Sequence, residues 1–244
     1  MRDNLPIIRG FNKTSEAGFN TFAASIFLGG CNLRCPYCMN SKLVMGIVDN
    51  VVDIEGVKKF VTEEKCEWVM ISGGEPTLTE ESQLVNLISE IKSWGCKVGM
   101  STNGTKREVL RQVVKLLNYV ALDIKSPSGE VYERILADQG LHRMSTIHKI
   151  FISQGILAEE KIKRADFDYE IRTTLFPSFV GKKTIRGIGS LIRKQDKWVL
   201  QQFRHSKNLL NEEAFSVTPY SDKEVEKIVG IAKSFCDNVS LKSV

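Results

Sequence analysis

The chain has 244 residues, of which 42% are hydrophobic and 26% charged, and its formal net charge is +5 at pH 7. This composition is that of a globular protein with a sizeable core, so it excludes disordered, collagen-like and coiled-coil chains. The basic excess forms no block of five like charges, which argues against a nucleic-acid partner. No apolar run reaches the roughly 18 residues of a membrane span, and the first residues lack the apolar region of a signal peptide. We therefore expect a cytoplasmic protein without a membrane partner.

Strands alternate with helices along the first half of the chain, a pattern that predicts a parallel sheet. A short apolar run stopped by Gly29-Gly30 predicts a buried first strand. Asp53 is placed to cap the first helix, and the capping box Thr105-x-x-Glu108 is placed to open the third. The predicted elements are strands at 21–28, 67–71 and 96–101 and helices over 54–65, around 84–91 with its end at Gly95, and from 105 onward.

The same alternation continues in the second half. Residues 128–156 have a helical pattern that Gly140 and Gly155 interrupt, and the capping box Ser221-x-x-Glu224 predicts a last helix. The remaining predicted elements are strands at 119–124, 168–175 and 197–203 and a helix over 222–236. Six strands with their helices predict an α/β fold, a partial (β/α)6 barrel.

No repeat, low-complexity segment or linker divides the sequence, so we expect a single domain over 1–244. Residues 1–20 form an N-terminal lead, 21–203 the barrel core, and 204–244 a C-terminal segment with the last helix. The stretch from 205 to 220 is the one long irregular segment, and such segments are often functional.

Three of the six cysteines, Cys31, Cys35 and Cys38, fall within eight residues. Three thiolates this close along a glycine-containing loop can converge on one centre. A structural zinc site needs four closed ligands, and no second CxxC or HxxxH motif supplies the fourth, so a [4Fe–4S] cluster fits better. Three unrelated cysteines are the alternative. The other three, Cys66, Cys96 and Cys236, are expected in the core.

This CxxxCxxC spacing, with an aromatic residue before the third cysteine, resembles the signature of the radical S-adenosylmethionine (SAM) enzymes. The resemblance implies a barrel of that type in which the three cysteines bind three irons and SAM chelates the fourth. It also implies that Tyr37 packs near the adenine. An aromatic ring that fills the small core of the loop itself is the alternative reading of Tyr37.

Further candidate SAM contacts follow the predicted strands. Gly73-Gly74-Glu75-Pro76 resembles the GGEP motif of the family, which is associated with the amino group of SAM, although a turn can also use two glycines. Ser101 and Asn103 are candidates for hydrogen bonds to the ribose or the carboxylate of SAM. Asn-Gly is also a common turn dipeptide in its own right.

Charged residues follow or occupy the later strands. Asp123 and Lys125 point to the same side of their strand and are candidate SAM contacts, with an ordinary ion pair as the alternative. Arg172 is placed to hold a carboxylate at two points, unless it lies exposed at a sheet edge. His205, just beyond the sixth strand, is a tentative substrate-facing residue, whereas His142 and His148 are expected in solvent.

The whole length resembles the activating enzymes of glycyl-radical proteins, and among them those of anaerobic ribonucleoside-triphosphate reductase. The motifs on which this resemblance rests are Ile7-Ile8-Arg9-Gly10-Phe11, the cysteine loop, Leu122-Asp123-Ile124-Lys125 and Leu200-Gln201-Gln202-Phe203-Arg204. The resemblance implies a transient glycyl-radical enzyme partner and an external electron donor such as flavodoxin or ferredoxin. Two positions depart from the pattern: Ser101 replaces a frequent acidic residue, and Met39 replaces a frequent histidine.

Two other functions stay open at this point. One is a radical SAM enzyme that acts on a small molecule or nucleotide, such as a 7-carboxy-7-deazaguanine synthase. The other is an iron–sulfur protein that only senses redox state or binds a partner, a reading that makes no use of the GGEP motif.

Overall fold

The computed structural model describes residues 4–14, 22–137 and 143–243. Eight strands form one sheet in the order β1 to β8, with each strand beside its neighbour in sequence. The strands are β1 (Ile8–Thr14), β2 (Ala23–Leu28), β3 (Trp68–Gly73), β4 (Lys97–Thr102), β5 (Tyr119–Asp123), β6 (Asp168–Leu175), β7 (Lys197–Gln202) and β8 (Asn238–Ser243).

The six predicted strands are confirmed as β2 to β7, and every pair among them is parallel. Because the strands run in one direction and follow one another in sequence, all their carboxyl ends lie at one edge of the sheet. This is the α/β partial barrel that the sequence predicts, and in such a fold the loops at that edge form the functional face.

The sequence analysis missed the two outer strands. The N-terminal lead contains β1, which pairs antiparallel with β2, and the C-terminal segment contains β8, which pairs parallel with β7. Both are edge strands whose apolar residues are few, and Leu241 in β8 is 47% exposed. A strand that buries little of its surface leaves only a weak hydrophobic pattern in the sequence.

Eight helices connect the strands of the described chain. Their bounds are α1 (Ser41–Val44), α2 (Ile54–Glu63), α3 (Glu81–Ser93), α4 (Arg107–Val113), α5 (Gly129–Ile135), α6 (Arg143–Lys163), α7 (Lys182–Gly189) and α8 (Asp222–Lys233). The sequence analysis missed α1 and α7. Asp53 caps α2 as predicted, and the Ser221–Glu224 capping box opens α8, which ends at Lys233 rather than at 236.

Two expectations about helix boundaries are wrong. The capping box at Thr105 does not form, because the Thr105 hydroxyl donates to Asn103 instead and Glu108 pairs with Arg107 at 2.8 Å. Gly155 does not interrupt its helix, because α6 continues through it with open space around the position of a side chain. Gly140 lies outside the described residues.

The helices bury their apolar faces against the sheet. Leu84, Leu87, Ile88 and Ile91 of α3 are fully buried, as their spacing predicts. The predicted core cysteines Cys66, Cys96 and Cys236 are buried as well. Among the described residues, no helix is long and apolar enough to cross a membrane.

Candidate functional site

A pocket lies at the carboxyl ends of the parallel strands and encloses about 1160 Å³ of empty space, counted out to its open mouth. Every proposed cluster and SAM residue lines it. These are Cys31, Cys35, Tyr37, Cys38, Gly73, Gly74, Glu75, Ser101, Asn103, Asp123, Lys125 and Arg172. The tertiary structure thus gathers residues from five strand ends into one site.

The cysteine loop is fixed from both sides. The backbone N–H of Ala137, just past α5, donates to the carbonyl of Asn32 at 3.0 Å, and Leu33 bridges to Leu136. Within the loop, Arg34 Nη1 donates to the carbonyl of Cys31 at 2.6 Å. The three cysteines are therefore presented by an ordered loop whose geometry depends on residues about a hundred positions later.

Burial shifts the three thiols toward their protonated form. It raises the pKa of Cys31 to about 12 and that of Cys35 to about 11, and it also raises the pKa of Cys38. A thiolate is the form that binds metal. The positive charge of bound iron would therefore have to displace these protons, as is usual for cysteine ligands.

The donor set fits a multi-iron cluster better than one ion. Within the described ranges, no three His, Cys, Asp or Glu side chains are close enough to share a single metal ion. A four-iron cluster takes one thiolate per iron, so its cysteines need not converge on one point. The three cysteines are free of disulfides and line a common pocket, as such a cluster requires.

The two glycines of the GGEP motif let β3 approach the cysteine loop. Gly74 and Glu75 donate from their backbone N–H groups to the carbonyls of Leu28 and Gly30, both at 2.8 Å. A Cβ atom on Gly74 would lie 1.8 Å from the Gly30 carbonyl oxygen, and Gly73 has a φ of +108°. Only glycine fits at either position, so the motif has a structural reason independent of any ligand.

Glu75 is a buried residue that stabilises the pocket through hydrogen bonds. Its carboxylate accepts four hydrogen bonds: from Thr77 N–H at 3.0 Å and, each at 2.6 Å, from the Thr77 hydroxyl, the Thr102 hydroxyl and the Asn103 N–H. Burial raises the pKa of this carboxyl, and the hydrogen bonds from Thr102, Thr77 and Asn103 oppose the rise. Glu75 thereby ties the end of β3 to the end of β4.

Asn103 joins that turn to the cysteine loop. Its Nδ2 donates to Asn32 Oδ1 at 2.9 Å and lies 4.0 Å from the Cys31 sulfur. Its Oδ1 accepts from the N–H and hydroxyl of Thr105. The sequence analysis did not single out Asn32, and it gave Thr105 only a role in helix capping. The asparagine directly after the first cysteine was the available signal for Asn32.

Asp123 and Lys125 form an ion pair in the pocket wall, with Nζ 3.1 Å from Oδ2 and the Lys125 side chain only 12% exposed. Burial lowers the pKa of Lys125, but the attraction of Asp123 and other neighbours outweighs it and raises that pKa overall. The pair is the ordinary ion pair named as the alternative above, and it also lines the pocket. A bound ligand would meet both charges.

Arg172 lies inside the barrel, so the alternative of exposure at a sheet edge is wrong. Its Nε donates to Glu170 Oε1 at 2.6 Å, and its Nη1 lies 3.5 Å from the Ser101 hydroxyl. Glu170 also pairs with Lys197 at 3.1 Å. The sequence analysis missed Glu170, although a glutamate two residues before an arginine on a strand points to the same face.

Tyr37 packs against Phe176 with 5.0 Å between ring centroids, in a small aromatic cluster beside the cysteine loop that also contains Phe203. Burial raises the pKa of its hydroxyl. Tyr37 therefore packs in a core shared with residues that follow β6 and β7, rather than in a core of the loop alone, and it lines the pocket at the same time.

The two histidines that the structure describes, His148 and His205, do not line the pocket. His205 is exposed outside the lining, with its ring 5.5 Å from that of Phe203. His148 is exposed on α6 as expected, and His142 lies outside the described residues. The lining does include Gln201, Gln202 and Arg204, which the sequence analysis quoted within a motif but did not assign. Adjacent polar residues at a strand end were the signal for them.

Solved structures share this fold. SuiB of Streptococcus suis bound to S-adenosylmethionine aligns with a TM-score of 0.60 and 13% identity over 90% of this chain and 51% of that one. A domain of pyruvate-formate lyase-activating enzyme from Bacteroides vulgatus aligns with a TM-score of 0.53 and 17% identity over 71% of this chain and 98% of that one. The chain thus spans about half the length of SuiB. Identities this low show a common fold alone.

Sequence relatives extend the comparison. A Methanocaldococcus jannaschii protein named "Putative glycyl-radical enzyme activating enzyme MJ1227" is 29% identical over 91% of this chain and 89% of its own length. The 7-carboxy-7-deazaguanine synthase of Haemophilus influenzae is 30% identical over 54% of this chain and 58% of its own. The sequence model of the Radical SAM superfamily matches residues 25–157, more than half of the chain. The protein belongs to the radical SAM superfamily.

Proposed function

We propose that this radical SAM enzyme activates a glycyl-radical enzyme by removing a hydrogen atom from a glycine of that partner, in the manner of anaerobic ribonucleotide reductase activation. The proposal rests on how much of the chain one relative matches. The relative from Methanocaldococcus jannaschii matches 91% of the chain, whereas the similarity to the Haemophilus influenzae synthase covers 54%. A match over 91% of the chain extends beyond residues 25–157, the part that the superfamily model matches.

Cys31, Cys35 and Cys38 would hold a [4Fe–4S] cluster, and the other lining residues would hold SAM. When bound, these cofactors supply the one-electron cleavage of SAM that generates a carbon radical able to take the hydrogen atom. The chain itself binds, orients and excludes water. Its aromatic cluster around Tyr37 and Phe176 forms a dry wall beside the cysteine loop.

Different residues of the polar lining would bind different parts of SAM. The absence of side chains at Gly73 and Gly74 would let SAM approach the backbone there closely. Glu75 would hold that backbone in place. Ser101 and Asn103 supply short hydrogen-bonding side chains, and Asp123, Lys125 and Arg172 supply charges for the amino and carboxylate groups. Tyr37 supplies a ring beside the adenine. His205 lies near enough to the rim to meet a macromolecular substrate.

The partner interaction is transient, because the partner must leave after each activation. The chain works as one domain over 1–244, and an external donor such as flavodoxin or ferredoxin provides the electron. Six free thiols and a reduced cluster suit the cytoplasm, where thiols stay reduced.

Electron paramagnetic resonance tests the proposal. Reduced protein, SAM and the anaerobic ribonucleotide reductase of the same organism should give a carbon-centred doublet. The doublet should collapse to a singlet when the glycine α position carries deuterium. No protein radical, despite cleavage of SAM, would refute the activating role. Absence of SAM cleavage by the reduced protein would favour a redox sensor instead.

The second candidate is a reaction of the 7-carboxy-7-deazaguanine synthase type. It is favoured by the similarity to that synthase over 135 residues, at 30% identity. Incubation of the reduced protein and SAM with the small-molecule substrate of that synthase, followed by chromatography, would then yield 7-carboxy-7-deazaguanine and no protein radical.

A further inference from the structure

Two N–H groups lie beside the sulfur of Cys31. The backbone N–H of Leu33 donates to Cys31 Sγ at 3.4 Å from within the cysteine loop. Asn103 Nδ2, on the turn after β4, lies 4.0 Å from the same sulfur. The first contact is local, whereas the second joins residues 72 positions apart. Cys31 therefore has a side-chain donor beside it that the cysteine loop does not itself supply.

The orientation of the Asn103 amide follows from one backbone group. The N–H of Thr105 can only donate, and it donates to Asn103 Oδ1 at 3.0 Å. The Thr105 hydroxyl donates to the same oxygen at 2.7 Å. Turning the amide by half a rotation would place its nitrogen against the Thr105 N–H, so that two donors would meet. The nitrogen of Asn103 must therefore face the cysteine loop.

Asn32 and Thr105 close a ring of hydrogen bonds with Asn103. Asn103 Nδ2 donates to Asn32 Oδ1 at 2.9 Å, Asn32 Nδ2 donates to the Thr105 hydroxyl at 2.8 Å, and that hydroxyl donates back to Asn103. Within the ring, each side chain donates once and accepts once. Hydrogen bonds connected in this way strengthen one another. The ring uses one hydrogen of Asn103 Nδ2 and leaves the other for the sulfur of Cys31.

The turn that carries Asn103 is buried and held on two sides. Asn103 and Thr105 are almost fully buried. The Asn103 N–H donates to Glu75 at 2.6 Å, and Ser153 of α6 donates to the carbonyl of Gly104 at 2.8 Å. Contacts from the end of β3 and from α6 thus hold the turn. The amide of Asn103 is therefore preorganised beside Cys31.

An N–H donor beside a cysteine ligand affects the reduction of an iron–sulfur cluster. Reduction adds one negative charge, which the cluster shares with its thiolate sulfurs. A hydrogen bond strengthens as its acceptor becomes more negative, so it stabilises the reduced cluster more than the oxidised one. Hydrogen bonds to the sulfurs are accordingly among the factors that set the reduction potential of such clusters.

We propose that Asn103 Nδ2 donates a hydrogen bond to the cluster-bound sulfur of Cys31 and raises the reduction potential of the cluster, and that Thr105 is a positioning residue that holds this donor through the ring. The cluster gains one electron and the external donor loses one, and no covalent bond forms or breaks. This inference rests on the [4Fe–4S] cluster of the proposed function, but not on the identity of the substrate.

The test replaces the hydroxyl of Thr105, which does not line the pocket. Thr105→Val keeps the shape of the side chain and removes two bonds of the ring, whereas Thr105→Ser keeps both. Thr173→Val is the matched control, because its buried hydroxyl also accepts one hydrogen bond, from Trp198, and donates one, to the Ile124 carbonyl. A spectroelectrochemical titration of the reconstituted proteins, without SAM, measures the midpoint potential of the cluster.

Thr105→Val should lower the equilibrium constant for reduction by roughly three- to tenfold, which corresponds to a midpoint potential about 30–60 mV lower for one electron. Thr105→Ser and Thr173→Val should keep the potential of the unmodified protein. An unchanged potential in Thr105→Val would overturn the positioning role. Equal lowering in Thr105→Val and Thr173→Val would overturn it too, because the loss of any buried hydroxyl would then have the same effect.

Asn103→Leu removes the donor itself without adding a charge. Its potential should lie at least as low as that of Thr105→Val. The double variant Asn103→Leu/Thr105→Val should have the potential of Asn103→Leu alone, because Thr105 acts only through Asn103. Additive lowering in the double variant would overturn the role of the ring. Iron and sulfide analysis of each variant ensures that the compared proteins hold the same cluster.

SAM distinguishes the two roles of Asn103, which is also a proposed SAM contact. Thr105→Val should bind SAM as tightly as the unmodified protein. If Asn103→Leu weakened SAM binding but kept the potential measured without SAM, the amide would serve the ligand alone and the inference would be overturned.

Failure of the proposed function has a different outcome. If the potentials shifted as expected but no radical formed on the partner, the activating role would be wrong and the inference would stand. If the unmodified protein held no four-iron cluster after reconstitution, both would be wrong.

Discussion

Glu170 Oε1 accepts a hydrogen bond of 2.6 Å from Arg172 Nε inside the barrel, and the two side chains are only 3% and 4% exposed. The pair fixes a guanidinium in the wall of the pocket, where Nη1 also reaches Ser101. Lys197 is a second cation on the same carboxylate, at 3.1 Å. The guanidinium of Arg172, which we propose for SAM binding, is thus held in place by Glu170, a residue that does not line the pocket.

Replacing Glu170 with Gln should destabilise the protein by about 3–5 kcal/mol at pH 7, because a buried arginine would lose its counter-charge. SAM affinity should fall as well, since Arg172 would be free to turn. Urea denaturation and SAM titration measure the two effects. Glu63→Gln breaks the exposed pair with Lys59 and should cost under about 1 kcal/mol. Equal losses in the two variants would contradict the structural account.

The stabilisation by Glu170 should depend on pH. Burial raises its pKa, but Arg172, Tyr119 and Lys197 outweigh burial and lower that pKa below the ordinary 4.5. A carboxyl whose pKa is lower in the folded state than in the unfolded state contributes its full stabilisation at pH values above its unfolded-state pKa. That contribution is lost as the pH falls through the folded-state pKa. The difference in unfolding free energy between the unmodified protein and Glu170→Gln should therefore narrow below pH 4.5. A constant difference from pH 7 to pH 3 would refute the ion pair.

Gly74→Ala should disrupt the site, because the added Cβ would lie 1.8 Å from the Gly30 carbonyl oxygen. The GGEP turn and the loop before Cys31 would have to move apart, so we expect lower stability and a lower iron content after reconstitution. Gly155→Ala is the matched control. It lies within α6 with open space around it, and it should stabilise the protein by about 0.5–1 kcal/mol. Thermal unfolding and iron analysis distinguish the two.

Glu75→Gln should harm the fold as well as the site. All four groups that bond to the carboxylate are donors, so the amide nitrogen of Gln would face at least one N–H or hydroxyl without an acceptor. The expected cost is about 1–3 kcal/mol in unfolding free energy, together with weaker SAM binding. If SAM binding were lost at unchanged stability, Glu75 would contact the ligand rather than support the turn.

Each of Cys31→Ala, Cys35→Ala and Cys38→Ala should abolish reductive cleavage of SAM, and the unmodified protein should hold about four irons after anaerobic reconstitution. Cys66→Ala and Cys96→Ala remove buried thiols outside the pocket, so they should keep the iron and cost only packing energy. Iron and sulfide analysis with cleavage assays checks both sets. Full activity in all three loop variants would rule out the cluster assignment.

Short-range sequence features determined much of this protein. The six central strands and the amphipathic α3 were predictable because apolar residues recur at the local period of a strand or a helix. The cysteine loop and the GGEP turn were recognisable because each motif is complete within ten residues. Their placement at strand ends then followed from the alternation of strands and helices.

Only the tertiary structure decided how those motifs support one another. Glu75 accepts from Asn103, 28 positions away, and Arg172 reaches Ser101, 71 positions away, because the parallel register brings the strand ends together. The edge strands β1 and β8 form by backbone pairing with a neighbour, which needs little apolar pattern of its own. The orientation of the Gln202 amide depends on the carbonyl of Tyr220, 18 positions away. Contacts between residues far apart in sequence leave no local period, so a single sequence does not specify them.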